Sequence, residues 1–339
     1  MATSTTGQER PRALDWCSPD SPVSGSPVPR TGRLGSSIRR AWLPLLLLGV
    51  SILTISASGS GFMQDFRHGL LPLSSEIDLF PLPLIWRHPA ALLQGWSFTL
   101  TLLSILLAHE MGHVAYCRKH GIKASWPYVL PAPTISGTAG AVIRIQSRIP
   151  SRAALIEVGI AGPIAGYAVA LPAAILGLLL SRRESRAASA AAVLHFHQPV
   201  TIALLHKGLC AIVPGFPRHI LPHPVLLAAW IGFFVTSLNL IPAGQLDGGH
   251  ILYAISPKAH RATRFVAPAV LLVMGLLFWA GWLLWGAILL LPMMRHPFIP
   301  ASPSLSGRQR LLGWIAILLL ILCMLPAPFA GTGLLDFFR

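Results

Sequence analysis

The sequence predicts an all-α polytopic membrane protein with about six transmembrane helices and a small β-like membrane-surface segment between the second and third. Only 11% of the 339 residues are charged and 53% are hydrophobic, whereas soluble domains carry about 25% charged residues. The mean hydropathy is +0.64, and several apolar runs approach the roughly 20 residues that cross a hydrocarbon core of about 30 Å. Helix is the expected conformation of these runs, because lipid cannot satisfy unpaired backbone groups.

Six apolar segments organise the chain. They lie at 41–58, 92–117, 153–181, 224–254, 265–291 and 311–330. Before them comes a Ser-, Pro-, Gly- and Arg-rich stretch without apolar periodicity, a composition typical of disorder. The predicted regions are therefore a disordered N-terminal tail, a first transmembrane helix with an extracytoplasmic loop, a membrane core and a C-terminal transmembrane helix, at 1–40, 41–91, 92–300 and 301–339.

The stretch between the second and third apolar segments differs from the rest. Residues 124–149 mix Pro, Gly and Thr with short β-prone pieces such as Ala141–Ile145, so they are too broken for a spanning helix. We interpret them as strands and turns at the membrane surface or partly inserted beside the bundle. Irregular backbone at that depth requires a protein or water-filled surrounding.

The formal net charge of +15 indicates topology and anionic lipid rather than a nucleic-acid partner. Most of the Lys and Arg residues lie in the gaps between apolar segments, and no basic-aromatic module is visible. Their distribution favours a cytoplasmic N-terminus, although Arg182, Arg183 and Arg186 then fall in an outside loop. The four cysteines lie far apart without a CxxC pair, which predicts neither a disulfide framework nor a thiolate metal site.

A metal-binding pattern lies near the end of the second apolar segment, where His109, Glu110 and His113 form HExxH. Residues four apart share one helix face, so both imidazoles can reach one ion. Glu110 would then stand beside the metal, placed to take a proton from water. Zinc accepts nitrogen ligands and keeps a position open when three protein ligands bind it. The alternative is a set of interfacial polar residues just past the span.

The best candidate for a third ligand is Asp247, within the sequence NLIPAGQLDGGH at 239–250. It is the only acidic residue between Glu184 and Asp336, and an unpaired carboxylate in an apolar segment is costly. A metal would remove that cost by holding the carboxylate ionised. The alternative is a helix-capping Asp. One span separates the two motif-bearing segments, so both motifs should lie on the same side of the membrane.

Together, HExxH and NLIPAGQLDGGH resemble the site-2 protease family of intramembrane zinc metalloproteases. The family pattern pairs HExxH with NxxPxxxxDG, which here falls on Asn239, Pro242, Asp247 and Gly248. The resemblance covers roughly residues 90–300, including AGPIAG at 161–166. It points to the bacterial and plastid-type branch without a PDZ domain, because no insertion of that size is visible. The membrane core would then be the catalytic region.

The resemblance implies that His109, His113 and Asp247 bind one Zn²⁺ and that Glu110 is the general base. It also suggests that Asn239 positions or polarises the scissile carbonyl, a role open to an amide N–H; a helix–helix hydrogen bond is the alternative. The implied activity is intramembrane zinc endopeptidase action on peptide bonds in or near transmembrane segments of membrane protein substrates. The segment 124–149 would pair with an extended substrate by strand addition.

Two further histidines receive no firm role from the sequence. We interpret His250 as a neighbour of the metal site rather than a fourth ligand, and His296 forms a His-Pro pair without an assigned mechanism. The small-residue run Gly159–Gly166 indicates close helix packing rather than chemistry.

Two rival functions are an inactive membrane scaffold of protease ancestry and a metal transporter. The complete ligand set disfavours the scaffold. A transporter needs polar groups along several spans, whereas the ionisable residues here gather at one depth, with Glu157 the main exception. The expected location is a bacterial inner membrane, with a plastid membrane as the second choice; the natural substrate and oligomeric state are left open.

Overall fold

The computed structural model describes residues 33–74, 83–185, 196–294, 296–297, 299 and 305–338. Residues 1–32, most of the predicted tail, lie outside this range, while helix α1 already begins at Arg33. Residues Ala41–Arg339 form one compact unit, and this unit contains all the features described below.

The described chain is mainly helical. Its α-helices are α1 (Arg33–His68), α2 (Leu84–Arg87), α3 (Trp96–Lys119), α4 (Arg152–Leu180), α5 (Val200–Ile212), α6 (Pro224–Asn239), α7 (Asp247–Ile255), α8 (Pro257–Leu277), α9 (Gly281–Leu290) and α10 (Gly307–Cys323). Short 3-10 helices lie at Pro89–Gly95, Pro292–Met294 and Leu334–Phe338. The strands are β1 (Tyr128–Pro131), β2 (Thr138–Val142), β3 (Arg182–Arg183) and β4 (Ile220–Leu221).

Among the described residues, four helices are long and apolar enough to cross a membrane: Trp42–His68, Pro89–Lys119, Arg152–Leu180 and Pro257–Leu277. The predicted count of six is therefore not confirmed. The first three agree with the first three predicted segments. The remaining predicted segments correspond to shorter helices or contain a break.

The predicted segment 224–254 is two helices, because the chain leaves the helical path between Asn239 and Asp247. Pro242 lacks a backbone N–H, and Gly244 has a φ of +60°, a left-handed conformation that glycine adopts without a Cβ clash. The break has a functional consequence, since it makes Asp247 the first residue of a new helix.

The predicted segment 265–291 is also interrupted. Helix α8 ends at Leu277 and α9 begins at Gly281, and the two helices pack against each other. Backbone hydrogen bonds from Trp282 N to Trp279 O and from Leu283 N to Ala280 O close the turn. A helical hairpin, rather than one long span, is the result.

Helix α4 is the centre of the bundle and packs against α3, α5, α6, α7 and α10. Its contact with α3 is close: a Cβ placed on Gly112 of α3 would lie 2.5 Å from the carbonyl oxygen of Ala161. Small residues permit such backbone approach in membrane helices. The small-residue run Gly159–Gly166 therefore packs closely against a neighbouring helix, as the sequence predicts.

Strands β1 and β2 form an antiparallel pair with Tyr128 opposite Val142. An isolated bridge between Ala124 and Ile145 extends the pairing toward α3 and α4. The predicted β-like segment between the second and third spans is therefore a small two-stranded sheet.

Helix α1 holds this sheet through buried hydroxyl groups. Ser51 Oγ donates to the carbonyl of Val129 at 3.1 Å, and Thr54 Oγ1 donates to the carbonyl of Gly137 at 2.6 Å. Two buried polar side chains of α1 thus satisfy carbonyl groups at the sheet, which fixes the position of the sheet against the bundle.

The Thr54 hydroxyl makes a stabilising contact that can be tested by substitution. Thr54→Val should lower the free energy of unfolding by about 1 kcal/mol, because the Gly137 carbonyl loses a buried donor. This corresponds to a drop of roughly 2–4 °C in the thermal unfolding midpoint, measured by circular dichroism in detergent. Thr101→Val is the matched control, since its hydroxyl bonds only locally, to Ser97 O. Equal midpoints for the two variants would contradict the proposed anchor.

Candidate metal centre

Helix α3 presents His109, Glu110 and His113 on its buried side. The three residues are 5%, 5% and 6% exposed, and the two imidazole centroids lie 5.0 Å apart. The helical spacing predicted from HExxH is therefore realised. Three ionisable groups now share one turn of a helix in the interior of the bundle.

Asp247 reaches both histidines from the start of α7. Its Oδ2 lies 3.1 Å from His109 Nε2 and 3.3 Å from His113 Nε2. The three ligand atoms all fall within 4.8 Å of one another. Two imidazole nitrogens and one carboxylate oxygen are a donor set that zinc accepts, with a position left for a further ligand.

The orientation of His113 is fixed from its far side. Its Nδ1 lies 2.8 Å from the carbonyl oxygen of Val158 on α4. A carbonyl can only accept, so Nδ1–H is the donor and the neutral ring carries its lone pair on Nε2. A metal-binding imidazole commonly has such a partner on its other nitrogen. The residues present therefore fit a metal ion at this point.

Two glycines of α4 make room for the imidazoles. A Cβ on Gly162 would lie 2.1 Å from His113 Nε2, and one on Gly166 would lie 3.1 Å from His109 Nδ1. The sequence interpretation assigned this run to helix packing alone and missed this second role. The signal was available, because the two glycines repeat the four-residue spacing of the two histidines.

A cavity of about 220 Å³ adjoins the three ligand atoms. It is bounded by residues of α3, of β2 and the chain that follows it, of α4, and of the segment from Asn239 to α7. Its lining includes His109, Glu110, His113, Ala141, Val142, Ile143, Ile145, Val158, Gly159, Asn239, Gln245, Leu246, Asp247 and His250.

Every site residue predicted from the sequence lies at this cavity. Asn239 is the least tightly placed, because its Nδ2 is 3.4 Å from His109 Nε2, beyond the usual N–H hydrogen-bond distance of roughly 2.7–3.2 Å. Both of its predicted roles remain predictions. The structure adds Gln245 to the lining, a residue that the motifs did not single out. It also brings to the cavity the β2 extension (Ile143–Ile145), part of the segment expected to pair with a substrate.

His250 also lines the cavity but does not belong to the group that could hold a metal. Among the described residues that group consists of His109, His113 and Asp247. His250 instead makes a 2.8 Å contact from its Nδ1 to His296 Nε2. This arrangement agrees with its interpretation as a neighbour of the site.

Comparison with known proteins supports the geometry. The sequence model of peptidase family M50 matches residues 97–280, more than half of the chain. The chain is 30% identical over 233 residues to "Probable zinc metalloprotease EGY2, chloroplastic" of Arabidopsis thaliana, covering 68% of this chain and 41% of that protein. It is 30% identical over 247 residues to "Probable zinc metalloprotease EGY1, chloroplastic" of the same plant, covering 70% and 44%.

A rice relative gives a similar result. "Probable zinc metalloprotease EGY1, chloroplastic" of Oryza sativa subsp. japonica is 27% identical over 249 residues, covering 70% of this chain and 42% of that protein. The matched region thus spans less than half the length of these curated relatives. No solved structure matches the chain.

The clearance at Gly162 gives a direct test of the metal centre. Gly162→Ala should lower bound zinc severalfold, because the new methyl group collides with His113 Nε2 and displaces that imidazole. Zinc content of the purified protein is measured by atomic emission spectrometry. Gly208→Ala is the control, since a Cβ there meets nothing within 4 Å. Full zinc occupancy in Gly162→Ala would show that His113 is not a ligand.

Proposed function

This chain belongs to peptidase family M50, and we propose that it is a site-2 zinc metalloprotease that cleaves peptide bonds in or near transmembrane segments. One observation carries the proposal: two motifs separated by more than a hundred residues deliver His109, His113 and Asp247 to a single buried group beside Glu110. A cavity adjoins that group. Ligands, base and space for a substrate therefore occur together.

His109, His113 and Asp247 would hold the zinc ion. When bound, zinc would supply Lewis acidity that turns a water molecule into a nucleophile near neutral pH. The protein contributes the fixed orientation of the ligands through the Val158 carbonyl and the glycine face of α4. The buried surrounding strengthens electrostatic interactions at the site.

Glu110 is the proposed general base. It lines the same cavity as the three ligands, where it can accept a proton from the attacking water and pass that proton to the departing amine. Ile143, in the segment that continues β2, lines the same cavity. The proton acceptor and the substrate-facing strand are thus adjacent.

Asn239 is proposed to donate its side-chain N–H to the scissile carbonyl as negative charge develops on the oxygen. It lies at the end of α6 and lines the cavity. Its long contact with His109 Nε2 leaves this donor weakly engaged, which favours a role toward substrate over a strong helix–helix hydrogen bond.

An extended substrate is expected, because the peptide bonds of an α-helix are enclosed by its own hydrogen bonds and side chains. The cavity that such a bond must reach, of about 220 Å³, adjoins the ligand atoms. A transmembrane substrate would therefore unwind locally before cleavage. Residues Ala141–Ile145 form one wall, so the segment that continues β2 is placed to pair with the backbone of such a peptide by strand addition.

The rival functions fit less well. The main polar exception in the spans, Glu157, is paired with Lys119 Nζ at 2.8 Å and His120 Nε2 at 3.2 Å, so it does not extend a transport path from the metal group. An inactive scaffold remains the alternative that only an activity measurement separates. The sequence favoured a bacterial inner membrane with a plastid membrane as the second choice, and we propose the plastid membrane, because the relatives are named chloroplastic.

Glu110→Gln tests the general base. The variant should retain zinc and lose cleavage of single-span substrates by about a hundredfold to ten-thousandfold, because general base catalysis typically contributes a factor of about 10²–10⁴. Zinc content and cleavage are measured on the same detergent-purified samples. Glu184→Gln, which changes an acid lining a separate cavity, should cleave normally.

Asp247→Ala completes this comparison, since removing a ligand should lower zinc content and cleavage together. Retained turnover by Glu110→Gln would exclude Glu110 as the base. Wild-type protein that holds zinc but cleaves no member of a substrate panel would favour the inactive scaffold.

Asn239→Leu distinguishes the two roles of the amide. If Asn239 stabilises the developing oxyanion, kcat should fall by about 10²–10³ with zinc content and thermal stability unchanged. If it joins helices, stability should fall while kcat changes little. Kinetics and thermal unfolding of the same variant separate the two outcomes, with Ser237→Ala as a neighbouring control whose hydroxyl bonds within α6, to Phe234 O.

A further inference from the structure

A pair of histidines lies between the metal-site cavity and a second cavity. His250, three residues after Asp247, lines the metal-site cavity. His296, in the segment after α9, lines a neighbouring cavity of about 290 Å³. The two rings are joined by the 2.8 Å contact from His250 Nδ1 to His296 Nε2. The pair therefore connects the wall of the metal site to a different part of the fold.

The hydrogen-bond chain determines which nitrogen of His250 carries the proton. His296 Nδ1 lies 2.7 Å from the carbonyl oxygen of Pro297, so Nδ1–H must donate. Burial lowers the pKa of His296 below its usual value, and a neutral imidazole has one N–H. His296 Nε2 is then an acceptor, and His250 must donate its Nδ1–H to it. The lone pair of His250 is left on Nε2.

The His296 ring is held firmly enough to impose this arrangement. Tyr253 stacks on it with ring centroids 4.0 Å apart and an interplanar angle of 10°. The Tyr253 hydroxyl in turn accepts from the backbone N–H of Ile299 at 3.2 Å. A stacked and hydrogen-bonded ring keeps a constant face toward His250.

We propose that His250 is a substrate-positioning residue whose Nε2 accepts a backbone N–H of the extended peptide beside the scissile bond, while His296 fixes the tautomer that makes this possible. This inference rests on the proposed peptidase function and assigns one contact of its substrate. His250 is not a zinc ligand in this assignment, because it lies outside the described group of possible ligands.

An extended peptide needs such an acceptor. Its N–H groups point alternately to its two edges, and a strand that pairs with one edge leaves the other edge unpaired. An N–H left unsatisfied in a buried site is costly. The β2 extension and the Gln245–His250 segment form different walls of the cavity. His250 is the residue of the second wall whose side-chain lone pair is fixed by its own hydrogen bond.

The test measures substrate affinity in a background that does not cleave. A fluorescent single-span peptide is titrated into Glu110→Gln protein in detergent, with and without His250→Phe or His250→Ala. Loss of one hydrogen bond should raise Kd about threefold to tenfold, since a tenfold change is about 1.4 kcal/mol. In the cleaving background KM should rise by a similar factor, with kcat within about twofold and zinc content unchanged.

Variants of His296 test whether this residue fixes the tautomer of His250. His296→Ala should raise Kd in the same direction but less, and it should add nothing to His250→Ala, because it acts through His250. His296→Gln should restore affinity to within about twofold, since its carbonyl oxygen can accept from His250 Nδ1–H. His206→Ala is the control: that histidine also bonds a backbone carbonyl, of Pro217, but lines another cavity.

Three results would overturn the proposal: an unchanged Kd in both His250 variants, loss of zinc in them as large as in Asp247→Ala, or no rescue by His296→Gln. The second result would instead make His250 a ligand. Failure of the wild type to cleave would count against the proposed peptidase activity alone, because the affinity measurements use protein that does not need to cleave.

Discussion

The structure depends on placing a carboxylate and two imidazoles at one point inside an apolar bundle. Isolated, each group would be costly in that surrounding; together, with donor atoms 3.1 and 3.3 Å apart, they form a set that a divalent cation satisfies. Other features serve this arrangement. The Val158 carbonyl orients one imidazole, the glycine face of α4 admits both, and the break after Asn239 delivers the carboxylate from a third helix.

The ligand set could be read from sequence because its chemistry is local. Helical periodicity predicts that the two imidazoles of HExxH share one face beside Glu110, and Asp247 was conspicuous as an acid in an apolar segment. The sheet at residues 128–142 was also predictable, since Pro and Gly interrupt that stretch. A place for this segment beside the substrate was expected from pattern and family resemblance, but its position at the cavity depends on how the sheet docks against α1 through Ser51 and Thr54.

The number of spans was the weakest part of the sequence prediction, for two different physical reasons. In 224–254 the breaking residues Pro242 and Gly244 were visible, but hydropathy over a long window outweighed them. In 265–291 the turn Phe278–Ala280 is itself apolar, so composition gives no sign of it. Its backbone groups are satisfied by local hydrogen bonds and by one from Ala280 N to the carbonyl of Thr332, all of which form only in the folded protein. Likewise, the contact of His250 with His296 joins positions 46 apart and lies beyond any local pattern.

The clearance between α3 and α4 has an evolutionary consequence. Because Gly162 faces His113 and Gly166 faces His109, a larger residue at either glycine is disfavoured while the imidazole opposite it is retained. A lineage that lost the imidazole at position 113 would release the opposite helix from this restriction, and alanine or serine could then accumulate there without harm. The residues at positions 113 and 162 should therefore covary among descendants. A lineage that lost activity would show substitutions both in the HExxH motif and in α4, a helix that carries no catalytic group.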